Sequence, residues 1–306
     1  MTPVLIDTDP GIDDALALLL AWSSPELVVE AVTTVAGNVP VDTATRNLDR
    51  LLRLRRPSPA PRVGVGAAAP LTRPLVTAQH YHGEDGLGDA SEWPADTADP
   101  AGTRPSAVEV LVETAARHGP ALTLIALGPL TNVATALEAD PRRLAAVGRV
   151  VVMGGAVDVP GNVTPTAEFN AHVDPEAAAR VLDAGLRLDL VPLDATRQTL
   201  VTRHALARAL ARTPGPVAAA VTAFTAAAFR ADDARGAAGI ALHDPLAVAV
   251  AIDPGLVEWE AVRLVVEGDG QTRRVPGAPN CRFARVVRTA PFLELFLGRV
   301  CGGRAS

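Results

Sequence analysis

Four carboxylates fall within eight residues near the start of the chain. They are Asp7, Asp9, Asp13 and Asp14, in the run Val4-Leu5-Ile6-Asp7-Thr8-Asp9-Pro10-Gly11-Ile12-Asp13-Asp14-Ala15. Like charge at this density is costly unless something positive neutralises it, because each carboxylate disfavours ionisation of the next. No Lys or Arg lies nearby in sequence, so a divalent cation held by oxygen ligands is the expected neutraliser. Helix N-capping and favourable charge at a helix N-terminus would explain one or two acids, Asp13 or Asp14 among them, but not four.

These side chains act together only if the fold holds them at one place. Strand-like runs at 4–6, 28–34, 62–65, 122–127, 149–153 and 188–193 alternate with helix-like runs at 13–22, 41–54, 106–118, 132–138 and 175–184. Strands apolar on both faces, separated by helices, predict an α/β fold: a Rossmann-like, largely parallel central sheet flanked by helices. The C-terminal third predicts additional helices at 202–212, 216–230, 245–251 and 290–300, and strands at 261–266 and 282–287. With 306 residues, 48% of them hydrophobic, and no repeat or linker, the chain is expected to fold as a single domain spanning 1–306. In such sheets ligands bind beyond the carboxyl ends of the strands, where the acid cluster falls. Residues 66–105 and 231–243 read as long loops, of the kind that form binding elements or lids.

Further polar groups follow other predicted strands. Gly37-Asn38 follows the second, and Leu127-Gly128-Pro129-Leu130-Thr131-Asn132 follows the fourth. There Gly-Pro enforces a turn, Thr131 or Asn132 is expected to cap the next helix, and the turn would aim the Leu127 carbonyl at the cation. Met153-Gly154-Gly155 precedes a polar stretch in which Glu168 and Asn170 share a face if the chain is extended. With Asn162 they offer donors and acceptors suited to a polyhydroxylated ring; a plain polar loop is the simpler reading. In His243-Asp244-Pro245 the proline suits a helix's first turn. Asp244 is then either that helix's cap or a ligand far away in sequence, and His243 an acid near a leaving group. His80-Tyr81-His82 lies in the first long loop, within a Gly-rich stretch that also reads as a surface turn.

Composition excludes several classes. A net charge of -6, with Arg as the only basic residue besides His, argues against a nucleic-acid binder. Cys281 and Cys301 are too few for a disulfide framework. The apolar runs are too short to span a membrane. With no signal peptide before the first strand, a soluble cytoplasmic protein is expected.

Taken singly, Asp7-Thr8-Asp9 after a strand is similar to the haloacid dehalogenase-like phosphatases. A phosphatase would also want a basic residue to hold phosphate, and none accompanies these motifs. An EF-hand fails because the twelfth position from Asp7 is Leu18 rather than Glu. Taken together, the opening motif, Gly37-Asn38, Gly128-Pro129-Leu130-Thr131-Asn132, Met153-Gly154-Gly155, Glu168-Phe169-Asn170 and His243-Asp244-Pro245 resemble the nucleoside N-ribohydrolases, the inosine–uridine-preferring family. The resemblance covers nearly the whole chain. It implies Ca²⁺-dependent cleavage of a ribonucleoside's N-glycosidic bond to ribose and free base. Asp9, Asp14, the Leu127 carbonyl and Asp244 would be the metal ligands, with Asp9 also the general base and Asp7 a supporting residue. Asp13, Asn38, Asn162, Glu168 and Asn170 would bind the ribose hydroxyls, with Met153 beside the sugar. His243 would help the base depart, His82 would lie near the base, and Phe169 would be a further contact in the base-binding region. Glu168 near the 5′-hydroxyl would disfavour a 5′-phosphate. His80, Tyr81, Phe224, Phe229 and Arg230 are further candidates near the base, although Phe224 and Phe229 are at helical spacing and equally read as core. The resemblance also implies a homo-oligomer, a dimer or tetramer, and leaves purine against pyrimidine preference open. A non-catalytic nucleoside- or ribose-binding relative and a metal-dependent phosphohydrolase are the alternatives.

Overall fold

The computed structural model describes residues 1–90 and 104–300. Cys301 and the 91–103 part of the expected first loop lie outside the described residues.

Twelve strands are present among the described residues: β1 Thr2–Thr8, β2 Leu27–Thr34, β3 Arg62–Val65, β4 Thr123–Ala126, β5 Arg149–Met153, β6 Leu188–Val191, β7 Leu200–Val201, β8 Ile240–Ala241, β9 Val257–Val262, β10 Leu264–Val266, β11 Thr272–Arg274 and β12 Cys281–Val287. Eight form one sheet in the order β3-β2-β1-β4-β5-β6-β12-β9. Every neighbouring pair is parallel except β12–β9. The expected α/β architecture is therefore the one observed. The chain leaves β1 towards β2 and β3, then returns to β4 on β1's other side. This reversal opens a crevice at the carboxyl ends of β1 and β4, the place where open parallel sheets bind ligands.

Helices cover both faces, each with its own core. Two of them decide the site. The helix Ile12–Trp22 is buried at nearly every position, His243–Ile252 is buried from Asp244 to Val250, and the two pack against each other. A helix apolar all round must be enclosed, and here each encloses the other. Both begin at the same edge of the sheet, so Asp13 and Asp14 in one first turn meet Asp244 in the other.

Several expected boundaries move. The strand expected over 188–193 stops at Val191, since Pro192 lacks the N–H that would continue it, and the helix Leu193–Thr196 begins. The strand expected over 261–266 is two, one in the main sheet and one pairing with β11. The helix Pro216–Ala234 runs past the expected end at 230, so 231–234 is helical rather than loop. The first long loop contains the helix Gln79–His82. Cys281 is buried and carries no disulfide. Among the described residues no helix is long and apolar enough to cross a membrane.

Leu246 is fully buried in the second of the paired helices. Leu246→Ala is expected to cost about 2–5 kcal/mol through lost burial and the cavity left behind, read as a shift in the urea midpoint.

Candidate active site

The floor of the site is built from strand ends. Asp7, inside β1, is fully buried and accepts hydrogen bonds from Thr33 Oγ1 (2.5 Å) and Asn132 Nδ2 (2.8 Å). Burial raises its carboxyl to about 7 despite those two donors. Asn132 also donates to the Thr34 carbonyl and accepts from the Ala67 amide. Thr131 donates to Asp174 at 2.6 Å. Neither residue caps the helix Thr131–Ala139, contrary to expectation. They face inward and tie β1, β2 and the start of the long loop together.

Asp9 follows β1. Its Oδ2 accepts from the Asn38 amide at 2.7 Å, and its Oδ1 is buried without a hydrogen-bond partner among the described residues. The surroundings leave it little room: a Cβ on Gly37 would lie 2.1 Å from Oδ2, and one on Gly128 2.6 Å from Oδ1. Asp14 accepts from Thr8 Oγ1 (2.5 Å), the Asp9 amide (3.3 Å), the Gly11 amide (3.0 Å) and Asn38 Nδ2 (2.9 Å). The Gly11 bond closes the first turn of Ile12–Trp22, so capping accounts for part of Asp14's role. Asp244 sits in the first turn of its helix, whose N-cap is Leu242, and does not cap it. Asp13, Asp14 and Asp244 each present an oxygen, all within 4.8 Å of one another.

This crowding leaves a strong electrostatic signature. Burial first, then Asp14, raises Asp9 well above the usual carboxylate range. Burial and then Asp14 raise Asp13 to about 7. Asp244 is raised well above its usual value by burial, then by Asp13, Asp14 and Asp9. A buried, anionic, all-oxygen donor set with a partnerless carboxylate oxygen fits a hard divalent cation.

Above this floor opens a cavity of about 480 Å³. Asp13, Asn38, Met153, Glu168 and Asn170 line it, as do Leu127, Asn162, Phe169, His82, His243 and Asp244, whereas Asp9 and Asp14 lie beneath its wall. Glu168 is not in an extended stretch: it caps the short helix Phe169–Val173. Its Oε1 accepts from the Asn170 amide, and its Oε2 from the amides of Gly155 and Ala171. Burial still raises its carboxyl. Asn170 Nδ2 donates to the carbonyls of Leu127 (2.6 Å) and Met153 (3.2 Å), placing the Leu127 carbonyl at the cavity floor. Asn162 Oδ1 accepts from the Phe169 amide.

Both cavity histidines are held neutral. His82 Nδ1 accepts from the Ile12 amide at 3.1 Å, so its proton is on Nε2. His243 Nδ1 is 2.7 Å from Thr196 Oγ1. Burial lowers each to about 4. His243 thus meets a ligand near neutral pH as a neutral imidazole rather than an imidazolium.

Among the lining residues, Arg197 was not singled out from sequence. Arg197 donates to the carbonyls of Pro160 and Gly161, both at 2.7 Å, and so holds the loop that carries Asn162. It follows β6, so the strand-end rule that found Asp9 and Asn38 would have found it and Thr196. Asp232 and Arg235 line the cavity beside Tyr81 and His80. Phe224 and Phe229 are buried core residues and, with Arg230, do not line it.

Residues 4–294 match the family model described as inosine-uridine preferring nucleoside hydrolase. The chain is 40% identical over 258 residues to the pyrimidine-specific ribonucleoside hydrolase RihA of Shewanella sp. (strain MR-4), covering 84% of this chain and 79% of that one. Its structure is similar to that of a plant nucleoside hydrolase (TM-score 0.90, 33% identity, 99% of each chain covered). It is also similar to the purine-preferring ribonucleoside hydrolase from Gardnerella vaginalis (TM-score 0.91, 30% identity, 98% of each chain covered).

The shifted groups define a pH test. The acids bind more protons in the folded than in the unfolded chain, so their contribution to stability falls as pH rises through about 7. The two histidines act oppositely between about 4 and their ordinary 6.5, and no longer change above it. Chelator-treated protein is therefore expected to lose Tm between pH 6.5 and about 8. A saturating divalent cation should remove that loss, because it takes the protons' place on the carboxylates; differential scanning fluorimetry reads both.

Proposed function

The chain belongs to the inosine-uridine preferring nucleoside hydrolase family, and from that premise we propose that it performs a Ca²⁺-dependent hydrolysis of the ribonucleoside N-glycosidic bond to ribose and free base. Nucleoside hydrolase activity on ribonucleosides, a glycosidase reaction, comes with the family. The observation that carries the finer reading is the meeting of acids from two helix starts, with the partnerless Asp9 oxygen beside them.

In this reading Asp9, Asp14, the Leu127 carbonyl and Asp244 hold the ion. The Leu127 carbonyl accepts one bond from Asn170 and keeps a second lone pair for the ion. Bound there, Ca²⁺ would activate a water and anchor the ribose diol. Asp9 takes the water's proton at Oδ1, while the Asn38 amide fixes Oδ2 and so the direction of the carboxylate. Asp13, Asn38, Asn162, Glu168 and Asn170 bind the ribose hydroxyls, with Met153 packed beside the sugar and Phe169 near the base. Breaking the C–N bond builds positive charge on ribose, which the surrounding carboxylates stabilise. The departing base gains negative charge. His243 meets it as a neutral N–H donor held by Thr196, with His82 alongside. Glu168 at the 5′ end repels a phosphate, so nucleosides are preferred to nucleotides. The enzyme works as a single-domain, cytoplasmic homo-oligomer in nucleoside salvage.

Ribose release from a ribonucleoside panel, with and without chelator, tests the activity and the metal together. Asp9→Ala should stay folded and lose kcat by roughly 10²–10⁴-fold; retained turnover rejects Asp9 as the base. Comparable kcat/KM for a nucleoside and its 5′-monophosphate would remove the role given to Glu168.

A further inference from the structure

We infer that Asp232, with Arg235 beside it, reads the edge of the base and favours nucleosides whose base carries an exocyclic amino group next to an acceptor. This rests on the nucleoside hydrolase reading and names the base class that the same cavity selects.

The cavity has two ends of different chemistry. One holds the acids and amides that suit a sugar. At the other, the helix Gln79–His82 faces the C-terminal end of Pro216–Ala234 through Tyr81, Asp232 and Arg235, all of which line the cavity. Tyr81 packs edge-on against His82, with ring centroids 5.0 Å apart, so this trio adjoins the imidazole end of the site. Ala228, Ala237, Gly239 and Ala241 in the nearby wall are small, and Leu200 and Ile240 beside them offer only apolar contact. Selection between bases therefore falls on polar contacts.

Asp232 is suited to that work. Its side chain is only 15% exposed, against 62% for Arg235. Its side-chain contacts among the described residues are long: Tyr81 Oη donates to Oδ2 at 3.3 Å, and Arg235 Nη1 lies 3.7 Å from Oδ1. An ionised carboxylate has about four acceptor sites, so Asp232 is half-buried with acceptor capacity to spare. The Arg235 guanidinium lies over the Tyr81 ring, 5.4 Å from its centroid, which keeps it at the cavity mouth. A carboxylate only accepts, so the edge it matches must donate. A guanidinium only donates, so the neighbouring atom must accept. Guanine, with its amino group, N1–H and O6, offers that pattern, as does cytosine with its amino group, N3 and O2. Inosine lacks the amino donor, and uridine sets a carbonyl where cytidine has the amine. In the pose that pairs the amino group with Asp232, inosine keeps N1–H but loses the second donor, and uridine turns a carbonyl on the carboxylate and N3–H on the guanidinium, so each leaves a half-buried carboxylate short of a partner.

The test compares kcat/KM for guanosine against inosine and for cytidine against uridine, pairs that differ at the amino position, in the wild-type chain and in Asp232→Asn. The wild type is expected to favour the amino member of both pairs, by on the order of tenfold. Asp232→Asn should bring both ratios towards one. A reversed order in the wild type, or ratios unmoved by the substitution, overturns the inference; the wild-type ratios decide it even if the variant misfolds. Cleavage of all four nucleosides at flat ratios refutes base reading by Asp232 and leaves the hydrolase reading intact. Ribose release from none of them ends both.

Discussion

Mutual repulsion among buried carboxylates is the constraint on which this structure turns. Burial, and then the neighbouring carboxylates, raise the affinity of Asp9, Asp13 and Asp244 for protons. Such a cluster persists only if protons or a cation neutralise it. The fold brings the acids together at some expense in core design. It buries two helices on nearly all sides and starts both at the sheet's carboxyl edge. Glycine stands at 37 and 128, where any side chain would strike Asp9. A layer of neutral donors, Thr8, Thr33, Asn38 and Asn132, holds individual oxygens without adding charge. Each donor fixes where a carboxylate points while leaving its charge for the ion.

The same economy governs the cavity above. Glu168 spends its oxygens on three backbone amides and is thereby rigid. Arg197 spends its guanidinium on two carbonyls and holds the Asn162 loop. His82 and His243 are fixed through Nδ1 and kept neutral by burial. The polar groups around the sugar end are thus pre-positioned, the condition under which fixed dipoles stabilise developing charge without reorganising. At the far end, among the described residues, the polar contacts of the Tyr81, Asp232 and Arg235 side chains with one another are long, leaving them able to exchange partners with a base.

Much of this was legible in the sequence, for physical reasons. Strand–helix alternation with strands apolar on both faces gave the parallel sheet, and the strand-end rule located Asp9, Asn38 and Leu127 on one edge. Density of charge identified the acid cluster without reference to structure. What failed were local readings of residues whose partners are distant. Thr131 and Asn132 look like caps, yet bond to Asp174, Asp7, Thr34 and Ala67. Asp244 reads locally either as a cap before proline or as a distant ligand, and it faces Asp13 and Asp14. Glu168 looks like part of an extended polar loop, yet caps a short helix. No local propensity carries a contact across a hundred residues. Asp232 and Arg235 fall in the stretch 231–243 that reads as a binding loop; 231–234 instead continues a helix, which sets the pair one turn apart and facing Tyr81.

The central claim is that acids from two distant segments form one site for one hard cation, which replaces the protons they share. Calorimetric titration of Ca²⁺ into metal-free protein near pH 7, repeated in buffers of different ionisation enthalpy, tests it most directly. The account predicts one Ca²⁺ bound per chain with net release of protons. Absence of binding, or binding without proton release, would contradict it.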